Sequence, residues 1–295
     1  MSGGALPDDG SRARHVECLA GGRLHRLAYR EWGEPSNPRV VVCVHALTRQ
    51  SRDFGPLARA LAPRWRVVAP DMPGRGASDR LHDPMLYQVP TYVADAVTLL
   101  ARLDVEEVAW VGISLGALMG MTIAAMDRTP IRRMVVSDAG PALARAALER
   151  IASYVGVATS FPTYEAAFAA IRAISEPFGP HSEAEWRFLV DNVLVRREDG
   201  TWTLHYDPAI GIPFREGLKV PGDVDLWSLW DAIRAPTLVL RGERSDLLAA
   251  DTARQMTLRG PKAELVTLPG VGHAPTLVPT SQIELVREYL EAGKA

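Results

Sequence analysis

The stretch Val108-Ala109-Trp110-Val111-Gly112-Ile113-Ser114-Leu115-Gly116 decides the fold. Its first four residues form a short apolar run of strand type. Residues 117–126, which follow it, have the composition of a buried helix. A Gly-x-Ser-x-Gly sequence between strand and helix is the pattern of a nucleophile elbow. That turn is so sharp that the serine backbone is strained and its neighbours must be small. Gly112 and Gly116 supply the room, and Ser114 is left projecting from the strand end. A serine hydroxyl is a weak nucleophile at its free pKa, so it needs a base.

Outward from the elbow, short apolar runs alternate with helical patterns. Strands are expected at residues 24–32, 40–44, 66–69, 131–137, 236–241 and 263–268. The run 40–44 is continuously apolar, as in a strand buried on both faces. Helices are expected at 54–61, 91–103, 251–258 and 281–290, with Val93, Val97, Leu100 and Leu103 on the inner side of the second. Alternation of this kind predicts a mostly parallel, doubly wound α/β sheet covered on both faces.

Residues 141–230 break the alternation. Helical patterns at 142–154, 164–174 and 183–195 dominate there, the last opened by Ser182 and Glu185 in capping-box spacing. This segment holds four of the seven tryptophans, so it is expected to pack a core of its own and to present an apolar face to the sheet edge. The predicted organisation is a core of residues 15–140 and 231–295, a helical cap at 141–230, and a disordered N-terminus at 1–14 rich in Gly, Asp and Arg.

Composition excludes several functions. A hydrophobic content of 47%, a charged content of 23% and a net charge of -2 are those of an ordinary globular chain. No basic run suggests a nucleic-acid partner. No apolar segment reaches the length of a membrane span, and the start lacks a signal-peptide core, so a cytoplasmic location is expected. Cys43 sits in an apolar run and reads as a small buried hydrophobe; no disulfide is expected from it and Cys18. The histidines lack metal-ligand spacing, and Gly74-Arg75-Gly76 lacks the phosphate-loop pattern and reads as a turn. Neither a metal nor a cofactor is expected. Nothing in the sequence fixes the oligomeric state, monomer or homodimer.

Chemistry in open parallel sheets gathers beyond the carboxyl ends of the strands. The strand at 236–241 runs into Gly242-Glu243-Arg244-Ser245-Asp246, and that at 263–268 into Pro269-Gly270-Val271-Gly272-His273. Each loop carries a titratable residue, in the chain order Ser, Asp, His. Asp138, just after the strand at 131–137, is the rival acid.

At these residues the chain resembles the α/β-hydrolase superfamily, specifically its cap-bearing esterase-like members, over residues 24–290. Val44-His45-Ala46-Leu47 is similar to the family's His-Gly oxyanion loop. Asp71-Met72-Pro73-Gly74-Arg75-Gly76-Ala77-Ser78-Asp79 resembles its D-x-P-G-x-G-x-S-D loop. The resemblance implies that Ser114 attacks the acyl carbon, His273 moves the proton, and Asp246 orients the imidazole. It also implies that the backbone N–H groups of Leu115 and Leu47 hold the oxyanion, with His45 supporting the loop. Ala46 departs from the usual glycine, and would be strained if that position required positive φ. The implied activity is serine hydrolysis of small to medium carboxylic esters, the partners being the ester and water. Amide, lactone or C–C hydrolysis on the same fold is the alternative, followed by a non-catalytic small-molecule receptor. Dehalogenases and epoxide hydrolases use Asp where this chain has Ser114.

Overall fold

The computed structural model describes residues 9–292. Eight strands form one sheet in the order β1-β2-β4-β3-β5-β6-β11-β12. Strands β1 (Arg12–Ala20) and β2 (Arg23–Trp32) form an antiparallel hairpin, and β2 pairs antiparallel with β4 (Arg66–Pro70). From β4 onward every pairing is parallel, through β3 (Val40–Val44), β5 (Val108–Ile113), β6 (Ile131–Ser137), β11 (Thr237–Gly242) and β12 (Glu264–Leu268). β3 is buried at all five positions, as its uniform apolar run requires. Helices α2 (Val89–Arg102) and α3 (Leu115–Ala124) cover one face, and α1 (Gly55–Leu61) and α10 (Thr280–Ala292) the other.

The N-terminal expectation is corrected in part. Arg12, Ala13 and Arg14 open β1 rather than a disordered tail. The Arg12 charge has a partner: Arg12 and Arg66 both bond the buried carboxylate of Glu31. Residues 1–8 lie outside the described residues. On α2, Val97 faces outward and is 46% exposed. The inner stripe runs instead through Tyr92, Val93, Ala96, Leu99 and Leu100, spaced as one face of a helix.

Between β6 and β11 no residue joins the large sheet. This segment carries α4 (Arg145–Tyr154), α5 (Tyr164–Ile174), α6 (Glu183–Asp191), α7 (Gly211–Gly217) and α8 (Trp227–Ala232), and α9 (Ala250–Met256) follows β11. Two small antiparallel pairs also occur there, β7 (Ala142–Leu143) with β10 (Val224–Asp225) and β8 (Leu194–Arg196) with β9 (Trp202–Leu204). The helix expected to run to residue 195 stops at Asp191, because Asp199-Gly200 turns the chain back into the β8–β9 hairpin. The capping box forms as predicted, with the Ser182 hydroxyl on the Glu185 N–H and the Glu185 carboxylate on the Ser182 N–H. The aromatics Phe161, Tyr164, Phe168 and Trp202 pack against Ala167, Ile171 and Val190 in a local core.

Candidate active site

Ser114 sits between β5 and α3 with φ 51 and ψ -108, a conformation rare for a residue with a side chain. The elbow is tight in the way the glycines require. A Cβ on Gly112 would lie 2.3 Å from the Gly116 backbone, and one on Gly116 would lie 2.0 Å from the Val44 carbonyl oxygen. The Ser114 N–H donates to the Ser137 carbonyl at 2.9 Å, tying the elbow to the end of β6.

The serine hydroxyl lies 3.0 Å from His273 Nε2. On the other side of the ring, Nδ1 lies 2.8 Å from Asp138 Oδ2. An ionised carboxylate only accepts, so Nδ1 carries the proton and Nε2 presents its lone pair to the Ser114 O–H. Asp138 is fully buried and also takes the Gly242 N–H at 3.0 Å and the Ser245 hydroxyl at 2.7 Å.

The expectation for Asp246 is therefore corrected. The loop that carries it turns Gly242 and Ser245 toward Asp138 and turns Asp246 away. Its side chain is 46% exposed and pairs with Arg150 of α4, whose Nη2 lies 2.8 Å from Oδ1. Partial burial alone would raise the Asp246 pKa, but the hydrogen bond and charge of Arg150 outweigh it and hold the carboxyl below its ordinary range.

His45 is fully buried. Its Nδ1–H donates to the Ala46 carbonyl at 2.7 Å, and its Nε2 accepts the Met72 N–H at 3.0 Å. Both nitrogens are thus committed to the loop backbone. Burial pushes its pKa down to about 3, against a backbone bond that favours the cation. Six non-glycine residues among those described have positive φ, and Ala46 is not one of them, so alanine there carries no left-handed strain. The N–H groups of Leu47 and Leu115 have no hydrogen-bond partner among the described residues. Leu115 begins α3, whose first N–H groups point out of the helix.

One residue of this loop escaped the sequence reading. Arg75, 1% exposed, donates from Nε to the Leu47 carbonyl at 2.8 Å and from Nη1 to Pro73 O and the Tyr92 hydroxyl. The Gly74–Gly76 turn is thus also the anchor of the loop that carries Leu47. Asp207 caps the turn at 208–210 and accepts the Tyr87 hydroxyl at 2.7 Å, which is a structural role.

A small cavity is walled in part by Ile113 and Ala274, the chain neighbours of Ser114 and His273. It is lined by His45, Ala46, Arg49, Asp53, Ile113, Ala274, Pro275 and Thr276 from the core and by Phe178 and Leu189 from the inserted segment. A larger concavity of about 450 Å³, between Arg172, Trp186, Arg244 and Gly270, is lined by none of Ser114, His273 and Asp138. Elsewhere, Cys18, His25 and Asp95 form a buried group whose donor atoms lie within 4.8 Å of one another. His25 Nε2 meets Asp95 Oδ2 directly at 3.0 Å, and burial pushes the Cys18 thiol up to about 12, so the group ties the β1–β2 hairpin to α2 as neutral thiol and hydrogen-bonded pair.

The neutrality of His45 has a consequence for acid stability. Below pH ~6.5 the unfolded chain takes up a proton at this position that the folded protein refuses, so the stabilisation is complete above that pH and is lost as pH falls toward about 3. The slope from this one group is roughly 1.4 kcal/mol per pH unit. Urea midpoints measured between pH 7 and pH 4.5 are expected to fall more steeply in the wild type than in His45→Asn. Parallel slopes would contradict the assignment.

Sheet order, elbow and Ser-His-Asp geometry together define an α/β hydrolase. The chain matches the alpha/beta hydrolase family over residues 41–284, and it belongs to that family. It is a hydrolase. It is 45% identical over 284 residues to a 3-hydroxybutyrate-oligomer hydrolase from Cupriavidus necator, covering 94% of this chain and 97% of that one. It is 26% identical to a pimeloyl-acyl-carrier-protein methyl ester esterase from Xanthomonas campestris, over 86% of this chain and 95% of that one. Among solved structures, an alpha/beta hydrolase from Novosphingobium aromaticivorans superposes with a TM-score of 0.86 at 39% identity, over 96% of this chain and 99% of that one. Among the described residues, no helix is long and apolar enough to cross a membrane.

Proposed function

We propose that the protein hydrolyses the ester bonds of short 3-hydroxybutyrate oligomers through an acyl-enzyme on Ser114. The observation that carries the chemistry is the hydrogen-bonded line from Ser114 Oγ through His273 to Asp138, at 3.0 and 2.8 Å. The relative at 45% identity supports the substrate.

His273 Nε2 takes the hydroxyl proton as Ser114 attacks the ester carbonyl carbon. Asp138 holds the ring in the tautomer that leaves Nε2 free and stabilises the imidazolium that forms. The Leu115 and Leu47 N–H groups receive the oxyanion; each such donor is worth roughly 3–4 kcal/mol of barrier. The imidazolium returns its proton to the departing 3-hydroxy oxygen, leaving a 3-hydroxybutyryl ester on Ser114. Water, activated by the same nitrogen, releases the acid. The inserted segment acts as a cap: Phe178 and Leu189 close the cavity and keep bulk water from the site.

The test is a substrate panel: 3-hydroxybutyrate dimer and trimer beside p-nitrophenyl esters of increasing acyl length. Release of 3-hydroxybutyrate from both oligomers, with p-nitrophenyl turnover greatest at short chains, is expected. Turnover of p-nitrophenyl butyrate with no release from either oligomer would retain the serine chemistry and reject the substrate.

A further inference from the structure

The cavity beside Ile113 and Ala274, the chain neighbours of Ser114 and His273, is mostly apolar; its polar lining is Arg49 with its partner Asp53, His45 and Thr276. Ala46, Ile113, Ala274, Phe178 and Leu189 supply most of its wall. The Arg49 side chain is only 11% exposed, and its guanidinium lies 6.0 Å from the centre of the Phe178 ring. Two of its three nitrogens are committed: Nε and Nη2 to the Asp53 carboxylate, and Nη2 also to the Leu189 carbonyl at 2.8 Å. The third, Nη1, has no partner among the described residues, yet it is not among their sealed, unsatisfied polar atoms. Asp53 is itself fixed by the Asn192 side-chain amide at 2.9 Å, so the Asp53 and Leu189 bonds hold the guanidinium in place and leave Nη1 as its uncommitted nitrogen.

Desolvating a guanidinium in an apolar wall is costly unless every donor finds an acceptor. A 3-hydroxybutyrate oligomer supplies one: each chain ends in a free carboxylate, separated by two carbons from its hydroxyl or ester oxygen. From this we infer that Arg49 binds the terminal carboxylate of the substrate and makes the enzyme select acidic esters with the charge close to the cleaved bond. The inference rests on the oligomer reading above for its substrate, but its core claim, a carboxylate site at Arg49, stands on the cavity. Asp53 neutralises the resting pair, so the site favours an anion that can bond Nη1 directly over one merely attracted by charge.

The alternative is that Arg49 only latches the inserted segment to the core, through Leu189 and the Asp53–Asn192 bond. The two differ in what they discriminate. The experiment measures kcat/KM for the 3-hydroxybutyrate dimer and for its methyl ester in wild type, Arg49→Gln and Arg49→Lys. A charge-assisted bond of ordinary strength predicts that the acid-to-ester ratio falls roughly ten- to hundred-fold in Arg49→Gln, mainly through KM, with partial recovery in Arg49→Lys. A second arm measures inhibition of p-nitrophenyl butyrate hydrolysis by 3-hydroxybutyrate and by its methyl ester. The wild type should be inhibited competitively by the acid and much less by the ester, and Arg49→Gln should lose the difference. An unchanged ratio, or equal loss on acid and ester, overturns the proposal in favour of a latch. If the wild type cleaves no oligomer, the substrate reading fails and the inhibition arm alone decides: acid-selective inhibition lost in Arg49→Gln upholds the carboxylate site, and its absence rejects it.

Discussion

Ser114→Ala is expected to abolish hydrolysis, with kcat reduced by about 10⁴–10⁶-fold, while leaving the fold intact. In the proposed reaction the hydroxyl oxygen forms the acyl-enzyme, and no neighbouring side chain on the elbow can replace it, since the flanking positions are Ile113 and Leu115. The main-chain strain at φ 51 is held by the surrounding backbone rather than by the hydroxyl, so alanine keeps the turn. Thermal midpoints within a few degrees of wild type, with no ester turnover above background, are the expected results. Most of the activity surviving in Ser114→Ala would place the nucleophile elsewhere.

The second large effect separates the two acids. Asp138→Asn is expected to lower kcat by about 10⁴-fold, because an amide can stabilise the wrong imidazole tautomer and cannot balance the imidazolium. It also disturbs the acceptor for Gly242 and Ser245, so stability is measured alongside. Asp246→Asn removes an ion pair with Arg150 in which both side chains are more than a third exposed. Such pairs contribute roughly 0–1 kcal/mol, and kcat should change by less than about threefold. A larger loss at Asp246 than at Asp138 would reverse the assignment made from the geometry.

The sequence favoured Asp246 with Asp138 as its rival, and the reason His273 meets Asp138 instead is physically plain. Ser114 and His273 are announced by local features: a strand, then glycines, then the reacting side chain. The acid is chosen by what lies across from Nδ1, and that depends on three strands at once. Asp138 immediately follows β6, the strand between β5 and β11, so its carboxylate is delivered into the middle of the site. Asp246 lies four residues beyond the end of β11, far enough for the loop to turn it outward to Arg150. The local signal for Asp138 was present, an aspartate directly after the buried strand end Met134-Val135-Val136-Ser137, but it competes with a turn role at the entry to the inserted segment.

Other differences have the same origin. The sheet was legible because its strands are short, apolar and bounded by turn residues. β1 was not, because an edge strand half in solvent has a polar, arginine-bearing sequence, and the bond from Arg12 to Glu31 forms only in the folded state. Val97 falls on the outer face of α2 because the sheet selects the stripe through Tyr92 and Leu99, which periodicity alone does not choose. Arg75 and Arg49 are surface residues by composition. Only the fold shows one buried beneath the oxyanion loop and the other in the wall of the cavity.

The central claim is a covalent one, and mass spectrometry of the enzyme during turnover tests it most directly. Rapidly acid-quenched wild type with 3-hydroxybutyrate trimer should carry the added mass of a 3-hydroxybutyryl group on the peptide that contains Ser114. Asp138→Asn should show the same adduct forming more slowly, and Ser114→Ala none. Oligomer cleavage at full rate with no adduct, with slower formation than breakdown excluded by a pre-steady-state burst, or an adduct on any other residue, would contradict the account.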